Sequence, residues 1–88
     1  MSRLLEPKLE AELEQLLDEM IAQQRARVLA HARRLNDRLT DDDVQQPHDF
    51  PELAGSPEWN YEDGLLAGYQ AVQAAMRAAF RRSEPDGT

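Results

Sequence analysis

His48-Asp49 is the adjacent pair whose residue types most invite chemistry, because an imidazole beside a carboxylate can bind a metal or carry a proton. A metal-binding or hydrolytic centre needs further donors, and His31 is the only other histidine. The pair also lies between Pro47 and Pro51 rather than on a long helix. His31 shares one helical face with Arg27, Arg34 and Arg38, at spacings of four, three and four. No Glu-x-x-His motif accompanies it, whereas a di-metal site in a helix bundle draws on several such inward side chains. A histidine at the edge of a helix interface is the plainer reading.

Asp41-Asp42-Asp43 has the acids of a calcium loop without its alternation. Val44-Gln45-Gln46-Pro47 follows where alternate acids, a glycine and a distant glutamate are needed. The run reads as the solvated start of a short helix. The Arg27, Arg34 and Arg38 face, with Arg25 and Arg33 nearby, has the charge to hold phosphates. It has no interleaved aromatic on which bases would stack. The chain contains no cysteine, and Ser2, Ser56 and Ser83 fall in a terminus, a cap and a tail. No glycine-rich phosphate loop is present. The residues predict no catalytic site, no metal and no cofactor.

These side chains must be held by helices. Eighty-eight residues make one domain at most. Twelve of the hydrophobic residues are alanine, so the large apolar side chains are few for a buried pocket. No run approaches the ~18 apolar residues of a membrane span. The first residues lack the apolar stretch of a secretory signal. The expected location is cytoplasmic. A net charge of −7 argues against a nucleic-acid-binding surface over the whole molecule.

Leu9, Leu13, Leu16, Leu17, Met20, Ile21, Val28, Ala32, Leu35 and Leu39 recur at steps of mostly three or four, with Gln24 filling the gap after Ile21. This predicts a first helix over 7–39. Thr40 suits an N-cap ahead of the three aspartates. Residues 47–55, with two prolines and a glycine, read as a loop, packed through Val44, Phe50 and Leu53. Ser56-Pro57-Glu58 reads as the cap and first turn of a helix over 57–82, with Asn60 and Asp63 as an alternative capping pair. Residues 83–88 read as a disordered polar tail behind a single domain over 1–82.

A helix over residues 9–39 would be roughly 45 Å long, whereas a compact chain of this size is only about 30 Å across. The fold class predicted is therefore all-α, an elongated hairpin whose long connector of about 20 residues is structured though mostly irregular. The second helix is apolar around most of its circumference, which one neighbour cannot cover. Two hairpins forming a four-helix bundle would cover it. The expected dimer interface uses Leu13, Leu17, Met20, Ile21, Gln24, Val28, Leu35, Leu65, Gly68, Val72 and Met76.

Charge favours an antiparallel arrangement of the first helix with its mate. Residues 1–24 carry two bases against six acids, and residues 25–39 five bases against one acid. Glu14 is expected opposite Arg34 of the second copy, with the two-fold axis near Gln23 and Gln24.

The connector carries the remaining functional interest. Residues 40–63 hold eight acids and no lysine or arginine. Asp41, Asp42, Asp43, His48, Asp49, Phe50 and Trp59 are the candidate partner-binding residues, with at least two of Phe50, Trp59 and Tyr61 expected to be buried. The function expected is a non-catalytic homodimer that binds another protein, one of basic character, and neither nucleic acid nor membrane. A nucleic-acid-linked regulator using Arg27, Arg34 and Arg38 is one alternative. A metal-binding or hydrolytic protein using His48 and Asp49 is the other.

Overall fold

The computed structural model describes residues 5–83; residues 1–4 and the tail beyond Ser83 lie outside the described residues. All secondary structure among them is helical. The order is α1 (Pro7–Leu35), α2 (Asp41–Val44), a 3-10 turn (Pro47–Asp49), α3 (Pro51–Ala54) and α4 (Pro57–Arg82). The chain is a rod of 51 × 19 × 19 Å with α1 and α4 antiparallel along its length.

Pro7 opens α1 at a position where its missing N–H forfeits no helical bond. The helix ends at Leu35, not Leu39. Asn36 turns the backbone to an extended conformation, and its side-chain oxygen accepts the Arg38 N–H at 3.1 Å. Leu39 keeps the apolar spacing, but it reaches the core from a turn and is 2 % exposed.

The connector is also more regular than its prolines predict. Thr40 caps α2 through a reciprocal pair: its hydroxyl accepts the Asp43 N–H and the Asp43 carboxylate accepts the Thr40 N–H. Pro47 and Pro51 each stand in a first helical turn and start the two short helical pieces that follow. Ser56 caps α4 by accepting the Trp59 N–H at 3.1 Å. Asn60 is no cap. Its amide donates to the carbonyls of Leu53, Ala54 and Ser56, which ties the end of the connector to α4.

These short pieces lie against one end of the hairpin and complete its core. Ile21, Val28 and Ala32 of α1, Trp59 and Leu66 of α4, and Leu39, Val44 and Leu53 from the connector pack into one cluster. Leu53 and Trp59 are fully buried. The Trp59 indole N–H donates to the Val28 carbonyl at 3.2 Å, so its polar edge is satisfied inside the core.

Candidate functional site

The hairpin has two long flanks, and they differ. On one, α2 leans over α1 and α4. A cleft of about 420 Å³ opens there between Arg25 and Val28 of α1, Asp41, Val44, Gln45 and Pro47 of the connector, and Asp63, Leu66 and Gln70 of α4. A second cleft shares Arg25 and Asp41 and continues along α1 over Ala22, Ala26 and Leu29. Burial raises the Asp63 carboxyl above its ordinary pKa, because the cleft wall removes part of its water.

The opposite flank has no connector over it. Leu9, Leu13, Leu16 and Met20 run along it on α1, and Leu65, Val72 and Met76 along it on α4. Leu9 is 43 % exposed, Leu16 53 % and Val72 55 %. Beyond it, the outer face of α4 is lined by small residues. Gly64, Gly68, Ala71 and Ala75 are exposed there, and a Cβ placed on either glycine would meet nothing within 4 Å.

The expected dimer residues divide accordingly. Ile21, Gln24 and Val28 are buried within the hairpin and are covered by the chain itself. Gln24 donates at 2.8 Å to both the carboxylate and the carbonyl of Glu62. Leu13, Leu17, Met20, Leu65 and Met76 are half-buried, Gly68 and Val72 are exposed, and Leu35 is exposed at the far end of α1. Within the chain, Glu14 accepts from Arg77 at 3.1 Å. Leu9 and Leu16 belong to the open flank but were not among the expected interface residues; their seven-residue spacing was the available signal.

The candidate partner residues are brought to one end without converging. Asp41, Asp42, His48 and Asp49 are exposed, whereas Asp43 is held in the α2 cap. His48 is 79 % exposed and its imidazole lies 3.5 Å from Asp49. Among the described residues, no three histidine or acidic side chains are grouped to hold a metal ion. Trp59 is buried, Phe50 packs against the core from a half-buried position, and Tyr61 is 65 % exposed. Trp59 is therefore an anchor of the fold, not a contact surface. His31 faces Glu62 at 3.7 Å at the edge of the hairpin. Arg27, Arg34 and Arg38 are exposed and form no ion pair among the described residues.

No helix among the described residues is long and apolar enough to cross a membrane. No family model, curated protein or solved structure matches the chain.

Proposed function

We propose that this chain is a non-catalytic, homodimeric protein-interaction module of the adaptor or regulatory kind. The observation that carries the reading is the uncovered flank, where Leu9, Leu16 and Val72 lie open beside Leu13, Met20, Leu65 and Met76. A continuous apolar strip of this length marks a docking surface more often than idle surface. A second hairpin laid over it makes a four-helix bundle and removes the strip from water. The acids of the connector stay outside that interface. Asp41, Asp42, Asp49 and Glu52, all exposed, then offer a fixed negative surface to a basic protein partner.

Light scattering on the purified chain tests the central claim. The mass expected at micromolar concentration is twice the 10.0 kDa of one chain. Replacing Leu16 and Val72 by glutamate should return it to one chain mass while circular dichroism stays helical. A wild-type chain that runs as a monomer across that range would defeat the reading.

A further inference from the structure

The outer face of α1 carries a stripe whose charge pattern inverts about its centre. Glu12, Glu19, Gln23, Arg27 and Arg34 fall on one line along the helix and all are exposed. Glu19 and Arg27 each lie four residues from Gln23, and Glu12 and Arg34 each lie eleven. Seven residues away, large Leu16 on one side matches small Ala30 on the other. Inside the chain this stripe is unused by ion pairs. Arg27 and Arg34 have no acidic partner among the described residues, whereas Glu14 and Asp18, on the inner side of the same helix, are both within reach of Arg77.

We infer that the stripe recognises a second copy of itself. The α1 helices dock antiparallel across a two-fold axis at Gln23, placing Glu12 against the partner's Arg34 and Glu19 against the partner's Arg27. Leu16, which also belongs to the open apolar flank, packs over the partner's Ala30. Parallel docking would set glutamate on glutamate and arginine on arginine. Sliding one copy by four residues, about a helical turn, sets Glu19 against the partner's Gln23, Glu12 against the partner's Ala30 and Arg34 against the partner's Lys8. Only the antiparallel register matches every charge. Exposed ion pairs add little affinity, so their role here is to select orientation and register. The inference rests on the self-association proposed above and adds its geometry.

Sedimentation equilibrium of the full chain, with cysteine cross-linking, tests it. Arg27→Glu and Glu19→Arg should each raise the dimer dissociation constant about tenfold, and the double variant should return it to within about threefold of the wild type. Gln23→Cys introduces a thiol into a chain that has none, and it should oxidise to a disulfide-linked dimer because the axis brings the two copies of this position together. Ala30→Cys, also exposed but away from the axis, should cross-link far less. A dimer indifferent to the single reversals, a double variant that fails to recover, or equal cross-linking at both positions overturns the register and leaves the self-association standing. A wild-type monomer overturns both.

Discussion

The two ends of the rod are built from the same pair of helices, yet they hold themselves together differently. At the connector end, Val44 and Leu53 of the connector pack with Val28 and Ala32 of α1 and with Trp59 and Leu66 of α4 in one buried cluster. At the open end no third element arrives. Phe80 is buried, as is Glu10, but Leu13, Leu17 and Met76 are only half-covered and Leu9 and Leu16 lie open. Polar contacts there run along the edge of the helix pair, Gln73 to Asp18 at 2.6 Å and Arg77 to Glu14 at 3.1 Å, both exposed. Two helices alone enclose little interior. The connector supplies a third wall at one end, and among the described residues no element supplies one at the other.

Truncating Trp59 should be the most damaging single change. Trp59→Ala opens a large cavity and removes the indole N–H bond to the Val28 carbonyl; the expected loss is about 3–5 kcal/mol, a large share of a small domain's stability. Met76→Ala, at the half-covered open end, should cost the dilute chain about 1 kcal/mol or less. Urea unfolding at low concentration measures both. Equal losses at the two positions would mean that the ends are packed alike.

The next largest effect belongs to Gln24, which sits between the two ends. Its amide is the donor to a Glu62 carboxylate that is only 15 % exposed. Gln24→Ala should cost about 1.5–3 kcal/mol, the range for a hydrogen bond to a charged group. The same unfolding curves test this, and a neutral outcome would show that the bond from Gln24 to Glu62 adds nothing to stability.

Much of this contrast was legible in the residues, for identifiable reasons. Ser56-Pro57 marked the start of α4 because a hydroxyl cap and a proline in the first turn act locally. Thr40 marked α2 in the same way. The end of α1 was not legible from periodicity, since Leu35 and Leu39 keep helical spacing although the backbone turns at Asn36. Pro47 and Pro51 misled because proline halts one helix and starts another with equal ease. The interface residues split for a further reason. The apolar pattern shows that Ile21, Val28, Leu13 and Met20 prefer burial, but not whether the chain or another copy supplies the cover. That depended on where the connector folds back, a tertiary choice carried by Leu53 and Trp59.

Smaller effects should come from the caps, and they sharpen the contrast because both lie at the connector end. Ser56→Ala and Thr40→Ala each remove a side-chain acceptor for a free helical N–H, at a cost of about 0.5–2 kcal/mol. Amide exchange should localise each loss, with faster exchange near Val44 for Thr40→Ala and near Trp59 for Ser56→Ala. Uniform acceleration along α1 and α4 would show that these turns have no independent stability.

The smallest effect concerns the cleft under α2, and its sign is opposite. Asp63 is partly desolvated, which raises its carboxyl pKa in the folded chain above the ordinary value expected when unfolded. The folded chain therefore holds this proton more tightly than the unfolded one. By linkage, the group favours the folded state when protonated; as pH rises through its unfolded and then its folded pKa, that contribution is lost. At neutral pH the charged form is the less favourable occupant of the cleft wall. Asp63→Asn keeps the shape and removes the charge, so it should raise the melting temperature slightly at pH 7. Below the ordinary carboxyl range, wild type and variant both carry a neutral group, and the difference should close. Paired thermal melts across that range cancel the titration of every other acid. A variant that melts lower than wild type at pH 7 would mean that the Asp63 carboxylate is held by a favourable partner, with Arg25 the cation that lines the same cleft.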